Sequence, residues 1–440
     1  MNDKISFKVI NKLAIPSILA GIIEPVISIT DTAIIGHVKI FPTESLAAVG
    51  LVGSFMSALF WILAQTKNAI SSIVSQKLGA QKLEKIKTLI PQVLVINVVT
   101  GLTLAILTRI WAKPIFELYA AKDLILQLAV SYYKIRVFGL LFTLVTFTLF
   151  GIFRGLQNTY WAMFISLTGG LINIILDYLL VYGVPGYFPP LHIEGAAWAS
   201  LIAQFLMMLM ALYVFFKKTP FNLQFSRHWH PKIKHFLQMT GNLVIRTIAL
   251  NVALFLSNRY ATSYGKNYIA VHVILTNIWL FTTFFLDGYA DAGNSLAGKL
   301  YGEKDWPHLK ALAAKLTKYG LYVASALAFI FVVFYKPIGL IFTNETAVIK
   351  LYEKVFWLLI LMQPIGAIAF IFDGIFKGLG WVKFLRNMQL IATFLIFVPS
   401  LILLDYIGLK LSAIWLSFFL WMSFRAFSLR WKFYQFFKKV

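Results

Sequence analysis

The six residues GIFRGL at positions 151–156 recur as GIFKGL at 374–379, an offset of 223 residues. A second pair, QKLGAQK at 76–82 and GKLYGEK at 298–304, repeats with an offset of 222. Registers that agree within one residue indicate an internal duplication of the 440-residue chain. The sequence therefore predicts two related halves that run parallel to each other, an arrangement typical of membrane transporters.

The composition around these repeats is that of a membrane protein. Hydrophobic residues make up 60% of the chain and charged residues only 13%, whereas a soluble domain carries about 25% charged residues. Apolar runs near the length of about 20 residues that crosses a bilayer recur along the whole chain. Their continuity favours helices over a barrel, because barrel strands alternate apolar and polar residues.

The predicted fold class is an all-α polytopic membrane protein with twelve transmembrane helices in two pseudo-symmetric six-helix lobes. Residues 1–216 form the predicted N-lobe with helices 1–6, residues 217–235 a cytoplasmic linker, and residues 236–440 the C-lobe with helices 7–12. The expected spans are 10–38, 46–76, 89–112, 124–153, 159–183, 194–216, 236–262, 268–298, 309–334, 348–376, 384–404 and 410–430.

The net charge of +23 is explained mainly by membrane orientation. With these spans, one set of alternate connections carries 23 Lys and Arg residues and the other nine, which predicts that both termini are cytoplasmic. Nucleic acid is therefore not an expected partner. The chain has no cysteine, which excludes disulfides and thiolate sites, and it lacks GxxxxGK[ST], HExxH and GxSxG motifs. No enzyme activity and no cofactor are expected.

Four polar residues from three spans of the first half fall at one depth. They are Asp31, Asn173, Asp177 and Ser200, in the predicted outer half of the bilayer. A charge at mid-bilayer costs at least about 2.5–3.5 kcal/mol, so acids within a span need a partner or a function. Their carboxylate, amide and hydroxyl groups could bind a proton or Na⁺. We expect a cation- or proton-binding site here, and the alternative is that the acids are hydrogen-bonded structural groups.

Other charged residues within the spans are candidates for gating or for lining a substrate cavity. Glu24 lies two turns before Asp31, and Pro25 removes a helix hydrogen bond between them. Glu24 could couple protonation to bending, or it could be a cavity-lining acid paired with a base. In the second half, Arg246 and Asp287 fall at similar depth, with Asp291 one turn further on. Arg246 and Asp287 are expected to form an interhelical ion pair, with a substrate-binding role as the alternative.

Six segments of the chain form a recognisable set of motifs. They are DTAIIGH at 31–37, FRGLQNT at 153–159, NIILD at 173–177, EGAAWAS at 194–200, IRTIALN at 245–251 and FFLDGYADAGNSLAGKLYGEKD at 284–305. Together they resemble the multidrug and toxic compound extrusion (MATE) transporters. The segment at 284–305 resembles the DinF branch of that family in particular.

The resemblance implies a secondary antiporter in a bacterial plasma membrane, expected as a monomer surrounded by lipid. It implies export of small organic cations or amphipathic compounds in exchange for H⁺ or Na⁺, by alternating access of the two lobes. The family's cation site carries over to Asp31, Asn173, Asp177 and Ser200, although Thr is more usual than Ser at the last position.

Two other functions are alternatives to efflux. A flippase of lipid-linked molecules belongs to the same superfamily, but flippases of this type tend to have a cationic cavity, whereas this site is acidic. An intramembrane aspartyl protease would also use two aspartates, but Asp177 lacks a GxGD context and the repeat has no enzymatic rationale.

Overall fold

A computed structural model describes residues 3–38, 40–119 and 121–438, and within these ranges the side chains of Asp3 and Glu24 are not described. The described chain is helical and contains no β-strand, only one isolated bridge between Val184 and Phe188. The predicted all-α fold is confirmed.

Sixteen α-helices, two short 3-10 segments and one π-helical stretch make up the described chain. The α-helices are α1 (Phe7–Gly36), α2 (Pro42–Leu63), α3 (Gln65–Gly79), α4 (Leu89–Ile110), α5 (Ala112–Leu118), α6 (Asp123–Arg136), α7 (Gly139–Gly155), α8 (Tyr160–Tyr182), α9 (His192–Lys218), α10 (Ile233–Ser263), α11 (Lys266–Glu303), α12 (Trp306–Phe342), α13 (Thr346–Leu379), α14 (Val382–Ile391), α15 (Val398–Tyr406) and α16 (Leu411–Phe437). The 3-10 segments are Asp3–Ile5 and Leu83–Ile86, and the π-helix is Ala392–Phe397.

Eleven helical segments of the described chain are long and apolar enough to cross a membrane, and a bent pair makes a twelfth. The bent pair is α6 and α7, which meet at an angle of 45°. The sequence predicted an unbroken helix over 124–153. The structure breaks it just before Gly139, where the missing side chain leaves space that Gln204 of α9 occupies.

The chain divides into two compact units. The N-terminal unit contains Leu19–Val74 and Lys82–Leu237. The C-terminal unit contains the chain from Gln238 onward together with two short early segments, the chain up to Ile18 and Ser75–Gln81. The structure thus groups the beginning of α1 and the end of α3 with the second half, whereas the predicted lobe boundary at 216 places both in the first.

The repeated motif makes the same close helix contact in each unit. In the N-terminal unit, α7 approaches α3 at two glycines. A Cβ atom on Gly151 would meet the carbonyl of Lys67, and one on Gly155 would meet the carbonyl of Ser71 at 2.9 Å. No larger residue fits at either position without moving the backbone of α3.

In the C-terminal unit, α13 approaches α11 in the same way. A Cβ atom on Gly374 would meet the carbonyl of Ala290, and one on Gly378 would meet that of Asn294. Each of these four residues lies 223 positions after its counterpart in the N-terminal unit. The internal repeat in the sequence is therefore also a repeat in helix packing.

A third glycine pair explains why the end of α3 belongs to the C-terminal unit. A Cβ atom on Gly79 of α3 would meet the carbonyl of Lys299 of α11, and one on Gly302 of α11 would meet the carbonyl of Gln76. The contact is reciprocal: Gly302 lies 223 positions after Gly79, and Lys299 lies 223 positions after Gln76. Gln76 Nε2 also donates a hydrogen bond of 2.8 Å to the carbonyl of Gly378.

Candidate functional site

Two aspartates meet in the interior of the N-terminal unit. Asp31 of α1 is 5% exposed and Asp177 of α8 is fully buried. Their carboxyl groups lie within hydrogen-bonding reach of each other. The Oδ1 atom of each has no hydrogen-bond partner among the described residues. Two carboxyl groups at this separation in a low-dielectric interior cannot both be ionised without a compensating positive charge.

An amide and a hydroxyl complete the group that the sequence predicted. Asn173 lies one turn before Asp177 on α8, and its Nδ2 donates to Asp177 Oδ2 at 3.0 Å. The same nitrogen lies 3.4 Å from the hydroxyl oxygen of Ser200 on α9. All four predicted residues are buried, so the structure brings together Asp31, Asn173, Asp177 and Ser200.

Small residues on α8 and α9 allow the three helices to come this close. A Cβ atom on Gly170 of α8 would lie 2.7 Å from Cγ1 of Ile23, so the missing side chain lets α1 pack one turn from Asn173. Likewise, a Cβ atom on Gly195 of α9 would lie 2.5 Å from the carbonyl oxygen of Leu180. The glycines therefore set the distances between the polar groups.

Sequence reasoning missed Arg136 and Tyr132, which lie beside the aspartates. Arg136 is the last residue of α6, immediately before the break, and its guanidinium is close enough to attract both Asp31 and Asp177. Tyr132 lies one turn earlier on α6 and is 2% exposed. Arg136 could have been found, because it is an ionisable residue inside a predicted span.

Glu24 and Pro25, the two candidates for gating, also lie on α1. Helix α1 continues through Pro25 and ends at Gly36. The side chain of Glu24 lies outside the described part of the structure, so its role in gating remains a prediction.

Arg246 has an acidic partner that the sequence did not predict, and its ion pair with Asp287 stays a prediction. Arg246 of α10 forms a hydrogen-bonded ion pair with Asp373 of α13. Asp373 also contacts Lys377 Nζ at 2.7 Å and Arg425 of α16 at 3.8 Å. The sequence did not predict Asp373 as a partner of Arg246, because depth in the membrane does not specify which way a side chain points around its helix.

Asp287 and Asp291 lie four residues apart on α11 of the C-terminal unit. Asp287 is exposed and Asp291 is half-buried. Asp287 interacts electrostatically with Arg425, which is buried against the ring of Trp421 at 4.6 Å. An exposed acid within a span-length helix is expected to face water rather than lipid.

Comparison with known proteins identifies the family. Residues 16–179 and 243–403 match the family model described as MatE. The chain belongs to the MatE family. Three of the four predicted cation-site residues fall within the first matched region, and Arg246, Asp287 and Asp291 fall within the second.

Individual relatives cover nearly the whole of this MatE-family chain. It is 27% identical over 442 residues to protein DETOXIFICATION 44, chloroplastic, of Arabidopsis thaliana, covering 96% of this chain and 81% of that protein. It is 23% identical over 428 residues to DNA damage-inducible protein F of Escherichia coli (strain K12), covering 96% and 91%. The resemblance to the DinF branch is thereby confirmed.

A solved structure of a MATE protein in the bent conformation has the same fold. It superposes with a TM-score of 0.88 at 21% sequence identity, covering 98% of this chain and 96% of that chain. Its membership of the MatE family and its apolar, span-length helices make this chain a membrane-embedded member of a transporter family.

Proposed function

We propose that this chain is a secondary active multidrug efflux antiporter that exports organic cations or amphipathic compounds in exchange for protons. The observation that supports this most directly is the buried contact between Asp31 and Asp177. Because a hydrogen bond between two carboxyl groups needs a proton, the pair can change its charge by gaining or losing one.

The neighbours of the pair favour protons over sodium as the coupling ion. Arg136 already supplies a positive charge close to both carboxylates, which reduces their attraction for a metal cation. Asn173 turns its donor nitrogen toward Asp177 and Ser200. A sodium ion would need the oxygens of Asp31, Asn173, Asp177 and Ser200 to replace these hydrogen bonds.

The transport cycle follows from the charge of this pair. When the pair has lost its proton, the site is more negative and binds a cationic substrate more tightly. When the pair regains the proton, the site is less negative and the substrate is released. Alternating access by the two units would expose the site to each side of the membrane in turn. The proposal includes a monomer in a bacterial plasma membrane with both termini cytoplasmic, no cofactor and no nucleic-acid partner.

Proteoliposomes with an imposed pH or sodium gradient test the proposal, with export of a fluorescent organic cation as the readout. A pH gradient should drive transport by the wild type, and a sodium gradient alone should not. Asp31→Asn and Asp177→Asn should each abolish proton-driven transport, because the pair can no longer change its charge.

Control variants distinguish a specific role of the Asp31–Asp177 pair from a general loss of folding or expression. Glu345→Gln removes an exposed acid at the start of α13 and should transport normally. Arg136→Gln should make transport respond to sodium, because the site loses its internal cation. Equal transport by wild type and Asp177→Asn would refute the proposal, and transport driven only by sodium would refute proton coupling.

A further inference from the structure

A strongly basic surface of the N-terminal unit is not used by the proposed antiport. We call it the linker surface; it consists of residues 82–87 and residues 217–234. These two segments contain eight Lys or Arg residues and a single acid, Glu84. Glu84 is paired with Lys87 at 2.5 Å. Among the described residues, no ion pair involves Lys217, Lys218 or Arg227, and all three are exposed.

Apolar rings are exposed among these charges. Phe225 and Trp229 are each 67% exposed, although they lie in the connection between α9 and α10 and not in a span. Exposed apolar residues in the spans are explained by contact with lipid tails, but that explanation does not cover a polar connection. Aromatic rings interleaved with Lys and Arg are typical of segments that lie at the headgroup level of a bilayer.

The linker surface is fixed to the unit by specific hydrogen bonds. Gln92 Nε2 donates to the carbonyl of His228 at 2.8 Å, and the His230 backbone N–H donates to Gln92 Oε1 at 2.8 Å. The His230 ring Nε2 lies 2.8 Å from the carbonyl of Lys85, which joins the two segments. Phe221, in the same connection, is fully buried. These bonds hold the backbone on both sides of Trp229 against Gln92 of α4 and the Lys85 carbonyl.

We propose that the linker surface binds the anionic phospholipid headgroups of the bilayer that the protein spans. The connection joins two spans, so it lies at the membrane surface whichever side it faces. Its charge is complementary to anionic lipid, and Phe225 and Trp229 provide apolar contact with the interface. This site is independent of the acid pair and of the substrate that is exported.

The absence of cysteine from the chain allows a direct test. Gln224→Cys places a single label on the exposed linker surface, between Phe225 and Leu223. The full-length labelled protein is reconstituted in nanodiscs of phosphatidylcholine alone, or of phosphatidylcholine mixed with phosphatidylglycerol. Quenching of the label by a water-soluble collisional quencher should fall about two-fold in the anionic nanodiscs.

Two triple variants with the same change of charge provide the comparison. Lys217→Gln/Lys218→Gln/Arg227→Gln should remove the difference between the two lipid compositions. The matched control is Lys122→Gln/Lys266→Gln/Lys350→Gln, which alters three exposed lysines far from the linker in sequence and should preserve the difference.

Three results would overturn the proposal. The first is equal quenching in both kinds of nanodisc, and the second is an equal effect of the two triple variants. The third is protection of the label by soluble glycerol phosphate in phosphatidylcholine nanodiscs, which would identify a site for soluble anions instead of a lipid surface.

Discussion

The ion cluster around Asp373 predicts an asymmetry between two substitutions that each remove one charge. Asp373 is the anion at the centre of the cluster, with Arg246, Lys377 and Arg425 around it. The side chains of Asp373, Arg246 and Arg425 are exposed by only 3%, 8% and 4%. Asp373→Asn should therefore lower stability more than Arg246→Gln, by roughly a factor of two, because it leaves three cations around a neutral amide.

The magnitudes follow from what each substitution leaves unpaired. Removing one member of a buried ion pair costs about 3–5 kcal/mol, because the other charge stays buried without a partner. Asp373→Asn should fall in that range. After Arg246→Gln, Asp373 still contacts Lys377 at 2.7 Å, so the loss is that of one charged hydrogen bond, about 1.5–3 kcal/mol.

Thermal unfolding of the purified protein in detergent measures both effects. At about 2–4 °C per kcal/mol, Asp373→Asn should lower the midpoint by roughly 6–20 °C, and Arg246→Gln by about half as much. Glu345→Gln, which removes an exposed acid of the same unit, is the control. An Arg246→Gln protein as unstable as Asp373→Asn would refute the reasoning. An Arg246→Gln protein of normal stability without transport would favour the substrate-binding alternative for Arg246.

Two other predictions concern helix packing and pH. Gly374→Ala should lower stability by about 1–3 kcal/mol, because its Cβ would lie against the backbone of Ala290, whereas Gly53→Ala, with nothing within 4 Å, should change the unfolding midpoint little. At the start of α12, burial would raise the pKa of Asp305, but hydrogen bonds from His308 and Lys4 outweigh it and keep that pKa below its usual value. The resulting stability is present above about pH 4 and is lost as pH falls through the lowered pKa. Unfolding midpoints of wild type and Asp305→Asn should differ at pH 7 and converge as the pH falls through the lowered pKa of Asp305, and a constant difference at every pH would contradict this assignment.

The spans could be predicted because a bilayer requires long apolar helices, and the repeat could be predicted because close helix contacts require glycines at fixed positions. The break between α6 and α7 could not. No proline marks it, and the side chain that fills the space at Gly139 comes from Gln204, 65 residues further along the chain. The sequence shows Gly139 but not which side chain approaches it.

Depth in the membrane was enough to predict which four residues form the candidate site, but not which other residues lie beside them. Placing an ionised Asp31 or Asp177 inside the membrane has a high free-energy cost, so their shared depth indicated a shared site. Arg136 was overlooked because its predicted span was treated as a continuous apolar helix. The contact of Arg246 with Asp373 was not predicted, because depth alone does not tell which acid a buried side chain reaches.

The composition of the C-terminal unit has a consequence for how the protein is made. Ser75–Gln81 packs against α11, and Asp373 is surrounded by groups from α10 and α16. The end of α3 leaves the ribosome about 220 residues before its partner on α11, a wait of roughly 10–45 s at 5–20 residues per second. Asp373 likewise lacks its third cation, Arg425, until α16 is synthesised. The first helices of this chain therefore insert before the helices of the C-terminal unit that they pack against have been synthesised. A chain truncated anywhere before α16 should insert into the membrane but leave the C-terminal unit unassembled.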